Sequence, residues 1–262
     1  LDEIHSRGEA ITSRADSLIT QVDIDKAIEI SEEKIQEKLT NRKVIHAIPL
    51  QYFIDNEKVH GRPHDLKGTK IEVDVLFITA FEQHLNDLVT AIESIGISVD
   101  DVMASPLAGS LVMLTKAQKR AGCILANIGA ETVSIVVFEN NTPISLKVFP
   151  IGSNDITNDI ALGLKIPLDE AEKIKRGSMT NAPYSKKKLD EIVGARLSDI
   201  FELIDNHLRT IKRDGLLPAG VILTGGGSGI TSVQDLARVA LRLPSKIGTL
   251  DPAQNGKVRD AS

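Results

Sequence analysis

The run Ala219-Gly220-Val221-Ile222-Leu223-Thr224-Gly225-Gly226-Gly227-Ser228-Gly229-Ile230 carries an apolar strand straight into a glycine triplet, and the triplet opens a helical pattern at 231–241. That junction restricts the fold more than any other feature of the chain. With no Cβ atoms the backbone can approach a ligand closely, and amides at the helix start can face an anion or a base. The dinucleotide spacing G-x-G-x-x-G fails because position 230 is Ile, and no G-K-[S/T] follows, so the Walker pattern fails too. On these residues alone, Gly225, Gly226, Gly227 and Ser228 form either a ligand turn or a tight strand-to-helix connection.

A second junction precedes it. In Ala126-Asn127-Ile128-Gly129-Ala130-Glu131-Thr132-Val133-Ser134 an apolar strand runs into a turn and a second apolar strand leaves. Gly129 can expose an amide and Thr132 a hydroxyl to a phosphate seated on that turn. The plainer alternative is a β-hairpin with a glycine in its loop. Glu172 and Lys175 lie three apart on one helix face, which in isolation describes a surface ion pair. His60, His64 and Asp65 share a Gly/Pro loop without a further convergent partner, so they read as loop residues, and Lys186-Lys187-Lys188 reads as a solvated helix start. No residue stands out as a catalytic nucleophile or metal ligand.

A formal net charge of −5 leaves no basic footprint for nucleic acid, and one cysteine, Cys123, excludes an internal disulfide framework and fits a reducing compartment. No run approaches the ~18 apolar residues of a membrane span. Residues 1–21 are polar and show no clear element. A helix is predicted over 23–39, strands over 43–55 and 69–80, a helix over 85–95 stopped by Gly96, and a short strand over 97–103. Pro49 marks the first strand as an edge or a bulge. One helix is predicted over 105–119, then three β-rich runs over 123–129, 132–139 and 144–152. Helices follow near 157–162, 168–176 and 185–213.

The order of these motifs resembles the second half of the actin/Hsp70-type ATPase fold. There a turn holds phosphates, a Glu-x-x-Lys helix lies by the nucleoside, and a Gly-rich turn follows. Six segments narrow the resemblance: 44–55, 68–80, 105–115, 149–164, 170–177 and 220–230 look, in order, like the bacterial cell-division family FtsA. The fold class this implies is α/β: a partial actin-like (ribonuclease-H-like) ATPase domain at 104–262, preceded by the family's small α+β subdomain of the SHS2 type at 1–103.

The resemblance also implies a cytoplasmic, ATP-binding scaffold that polymerises, recruits FtsZ and other division proteins, and reaches the inner face of the membrane through a C-terminal amphipathic helix. Mg²⁺ would accompany the ATP in the full-length protein. By motif, the nucleotide-binding positions would be Asn127, Gly129, Ala130, Glu131, Thr132, Gly152, Glu172, Lys175, Gly225, Gly226, Gly227 and Ser228. The family usually carries acids at both ends of the phosphate turn, and here they are Asn127 and Ser134. At most a weak ATPase is expected. The chain reads as a piece of a longer protein, lacking the first phosphate loop and the C-terminal helix. An active actin-fold ATPase or sugar kinase, and a pilus-assembly relative that binds a partner peptide, are the alternatives.

Overall fold

The computed structural model describes residues 1–178 and 184–249. The expected end of the second domain, at 250–262, lies outside the described residues. The chain divides into two compact units, Leu1–Ser105 with Pro143–Leu146, and the remainder.

In the first unit, β1 (Asp2–Ile11), β2 (Arg42–Ile54), β3 (Glu57–Val59) and β4 (Lys70–Phe81) form an antiparallel sheet in the order β1-β4-β2-β3. Ile71, Val73, Val75 and Phe77 alternate along β4 and are fully buried against Ile19, Ile24, Ala27 and Ile35, on and around α1 (Gln21–Glu33). The predicted helix over 23–39 is therefore shorter, and Gln36–Leu39 forms a separate 3-10 turn. Pro49 sits at a bulge, where the β2–β4 register shifts before Gln51. β1 occupies a stretch in which the sequence shows no element.

Asp23 pins the start of α1. Its carboxylate accepts from the Thr20 amide at 2.8 Å, the Thr20 hydroxyl at 2.7 Å and the Ser13 amide at 2.9 Å. Burial would raise this carboxyl, but the bonds from Thr20 and Ser13 override it and hold the group at about 2 against an ordinary 3.8. Because the folded value is depressed, the stability it contributes is present above the ordinary value and is lost as pH falls toward the folded one. The urea midpoint of Asp23→Asn should lie below wild type at pH 5, and the gap should close as pH approaches 2. A constant gap would contradict the assignment.

α2 (Glu82–Glu93) follows β4, but 97–103 forms no strand. Ile97, Val99 and Val102 are β-branched, yet among the described residues no strand edge pairs with this stretch, and an unpaired strand has no ladder to stabilise it.

In the second unit the predicted helix over 105–119 is two, α3 (Ser105–Met113) and α4 (Lys116–Ala121). Thr115 divides them: its hydroxyl accepts from the Gln118 amide at 3.2 Å, and Gln118 Oε1 accepts from the Thr115 amide at 2.8 Å. That reciprocal pair is a capping box, and it starts a new helix where the previous one ends. β5 (Cys123–Ile128), β6 (Val133–Glu139) and β7 (Thr142–Phe149) join β8 (Val221–Thr224) and β9 (Ser245–Ile247) in a sheet ordered β7-β6-β5-β8-β9. β5 runs antiparallel to β6 and parallel to β8, and β8 is parallel to β9. β5 and β8 are buried on both faces along most of their length, which explains their unbroken apolar runs.

Four helices complete this unit: α5 (Ser153–Leu164), α6 (Leu168–Lys175), α7 (Lys186–Thr210) and α8 (Val233–Leu241). Arg196 of α7 grips Asp159 of α5 through Nε at 2.7 Å and Nη2 at 3.0 Å. β5 and β8, parallel and in register, end together, so the turns after Ile128 and Thr224 emerge side by side. In open α/β sheets, ligand crevices form at such strand ends.

Candidate functional site

At those strand ends lies a cleft of about 950 Å³. The Gly-rich turn walls one side, with Gly226 and Gly229 facing open space, and α6 and the start of α7 wall the other. Gly225 turns the chain at a φ of 85°. A Cβ there would lie 2.2 Å from Asn127 Oδ1, so only glycine lets the Asn127 amide rest against this turn. Ser228 bonds back to the Gly225 carbonyl through its amide at 3.1 Å and its hydroxyl at 2.7 Å, which closes the turn on itself.

The β5–β6 turn is held from below. Gly129 donates to the Thr132 carbonyl, the Ser153 amide donates to Gly129 O, and the Asn154 amide donates to Ala130 O, each at 2.9 Å. The first amides of α5 are thereby spent on the turn. The Glu131 carboxylate is tied to the Asn154 side chain. Among the described residues, the amides of Ala130, Glu131 and Thr132 donate to no protein acceptor. Three such amides on one turn make a concavity suited to an anion.

Asn127 and Ser134 are directly opposed across β5 and β6, and Thr224 is opposite Asn127 on β8. Directly opposed residues project from the same face of a sheet. The two positions where the family usually carries acids thus form, with Thr224, one row of three neutral, hydrogen-bonding side chains.

Glu172 and Lys175 are not a solvated surface pair. The Lys175 side chain is only 7% exposed, and its ammonium lies 2.6 Å from Glu172 Oε2. Glu172 also accepts from Thr157 Oγ1 at 2.6 Å and Arg176 Nε at 2.7 Å. Burial alone would raise the Glu172 carboxyl, but the bonds from Lys175, Thr157 and Arg176 hold it at about 2.

Of the residues singled out from sequence, Ala130, Glu172, Lys175, Gly226 and Gly227 line the cleft. Gly129, Thr132 and Gly152 build the phosphate-type turn and its support, and Gly225 and Ser228 build the other turn. Sequence reasoning missed Arg176, Lys186 and Asp190, which also line the cleft. The signal was available for the last two: they are four apart, on one face at the start of α7. His64 pairs with the neighbouring Asp65, at 2.8 Å in an exposed loop. Among the described residues no three His, Cys, Asp or Glu side chains converge to hold a metal ion.

The FtsA cell-division family model matches residues 124–262, more than half of the chain. The chain belongs to the FtsA family. The model of the SHS2 domain inserted in FtsA matches residues 3–79, which covers the first sheet and α1. The FtsA of Neisseria meningitidis serogroup B is 30% identical over 270 aligned residues, covering 94% of this chain and 64% of the relative. The FtsA of Bacillus subtilis is 29% identical, over 80% of this chain and 53% of the relative. The chain thus spans between about half and just under two-thirds of these relatives.

Among solved structures, a PilM–PilN type IV pilus biogenesis complex superposes with a TM-score of 0.66 at 17% identity, over 96% of this chain and 69% of the other. MreB5 of Spiroplasma citri bound to ADP gives 0.56 at 14% identity, over 69% and 66%. At such identities the likeness shows the fold alone. This FtsA-family chain is a cell-division, actin-like protein with a partial actin-type ATPase fold and an SHS2 domain.

An adenine nucleotide suits the residues of the cleft. The unspent amide of Ala130 offers a phosphate a donor, and the glycine wall leaves room for a flat base. The Glu172 carboxylate is an acceptor for ribose hydroxyls. Bound there, ATP would supply the phosphoanhydride, and this chain's residues would hold and orient it.

Proposed function

We propose that this FtsA-family chain supplies the nucleotide-holding part of a scaffold that polymerises with ATP bound and turns it over slowly. In the full-length protein the filament would recruit FtsZ and other division proteins and tie them to the inner face of the cytoplasmic membrane at the septum. A C-terminal amphipathic helix of the full-length protein would make the membrane contact. Among the described residues no helix is long and apolar enough to cross a membrane.

The observation that carries the slow-turnover reading is the neutral row Ser134–Asn127–Thr224. Cleaving a phosphoanhydride calls for a carboxylate that orients water or the hydrated metal ion. Asn127 keeps the shape and hydrogen bonding of an aspartate without its charge. Glu131, the nearest acid in sequence, is engaged with Asn154. Holding is a separate task, served by the turn amides and the glycine wall.

Gly226→Leu tests the holding role. A Cβ added at 226 would meet no protein atom within 4 Å, and Gly226 lines the cleft, so a larger side chain there has its room in the cleft rather than in the fold. Calorimetry on the full-length protein should show ATP binding at micromolar affinity, weakened at least about a hundredfold in the variant with no change in melting temperature. Equal binding by both proteins, or none by wild type, would remove the nucleotide from this cleft.

A further inference from the structure

Lys175 has no proton to spare for a ligand. Its ammonium donates to Ser153 O at 3.0 Å and Thr157 Oγ1 at 2.8 Å, and it pairs with Glu172 Oε2 at 2.6 Å. An ammonium carries three donors, and all three are used inside the protein. The Ser153 carbonyl and the Asn154 amide belong to one peptide group. Lys175 binds that group at its oxygen, and the group's N–H donates to Ala130 O at 2.9 Å. A charge-assisted bond on the carbonyl polarises the peptide and strengthens its N–H as a donor. The next amide back, that of Ser153, donates to Gly129 O.

We propose that Lys175 is a positioning residue which, through the Ser153–Asn154 peptide, fixes the β5–β6 turn in the conformation that receives a phosphate. Its ligand rests on the nucleotide reading above, but its geometry does not. Lys175 thereby couples two ends of the cleft. A shift of α6 on the nucleoside side would be felt at the phosphate turn through one ammonium and one peptide group.

Lys175→Met in the full-length protein tests this by two readouts. Without any ligand, hydrogen exchange at the Ser153 and Asn154 amides should rise at least about tenfold, the loss of one charge-assisted bond. Exchange in β5 and β8 should not change, and Lys175→Arg should recover part of the protection. With ligand, ADP affinity should fall at least about tenfold while adenosine affinity holds within about twofold.

Unchanged exchange at Asn154 overturns the proposal. So does an equal loss of ADP and adenosine, which would place the ammonium on the nucleoside directly. If wild type binds neither ligand but the variant still exchanges faster at Asn154, the nucleotide reading fails and the positioning role stands. Should Lys175→Met not fold, Thr157→Val removes the hydroxyl that accepts from Lys175 and donates to Glu172, and no charge. It carries the same test with an expected rise of about threefold.

Discussion

Gly152→Ala is expected to destabilise the second unit by about 3 kcal/mol, the upper range for forcing a methyl into packed space. The backbone at 152 is ordinary extended chain, with φ −152° and ψ −168°, so alanine meets no conformational strain there. The cost is a collision: the new Cβ would lie 2.2 Å from Ala130 O, 2.5 Å from Ala130 C and 2.8 Å from Glu131 C. Every one of those atoms is backbone, so no side chain can swing away. Relief requires the turn to lift off α5, which breaks the bonds from Ser153 to Gly129 and from Asn154 to Ala130. Nucleotide binding should fall with stability. Gly194→Ala, on α7 with no atom within 4 Å of its added Cβ, is the control. It should be neutral or stabilising by up to about 1 kcal/mol. Equal denaturation midpoints for Gly152→Ala and wild type would show that the turn is not clamped.

Asn127→Asp is expected to raise ATP hydrolysis by about tenfold or more, part of what a positioned carboxylate contributes. The substitution is nearly isosteric, and Gly225 already leaves room for an oxygen at that place. The new charge would face Ser134 and Thr224, both neutral, so it meets no like charge in its row. A second acid at position 134 would directly oppose it, and such a pair calls for a cation between the strands. Ser134→Asp added to Asn127→Asp should therefore make stability respond to magnesium, which wild type should not. Steady-state phosphate release across the single and double variants measures the first effect. Melting temperature with and without magnesium measures the second.

The second unit was the more legible in sequence, because its strands β5, β6 and β8 are buried on both faces and its glycine turns sit at the ends of β5 and β8. β5, β6 and β8 are mostly apolar runs, and the junctions at 129–132 and 225–228 fall where those runs stop. β1 was not legible because, after Ile4, its core face is Ser6, Gly8 and Ala10, small residues opposite Val75, Val73 and Ile71 of β4. The large partners supply the burial, and the small ones leave no hydrophobic alternation to read. The strand expected at 97–103 failed for a different reason: among the described residues no strand edge pairs with it, and β-branched residues alone do not supply one. Thr115-x-x-Gln118 carried its capping signature in plain view, and it divides the helix that periodicity alone runs together.

At the site, residue types were readable and their bonding was not. Glu172 and Lys175 have the spacing of an exposed ion pair, and only the approach of α5 buries the lysine and hands it Ser153 and Thr157. The consequence of Asn127 and Ser134 likewise depended on register. Seven residues apart in sequence, they prove to be one opposed pair.

The most direct measurement is a single-turnover experiment on the full-length protein, with limiting radiolabelled ATP bound and the label recovered after quenching. The account predicts that wild type returns the nucleotide largely as intact ATP over many minutes, and that Asn127→Asp returns measurably more ADP. Conversion by wild type at ordinary kinase rates, about 1–100 s⁻¹, would contradict a cleft built to hold nucleotide rather than to cleave it.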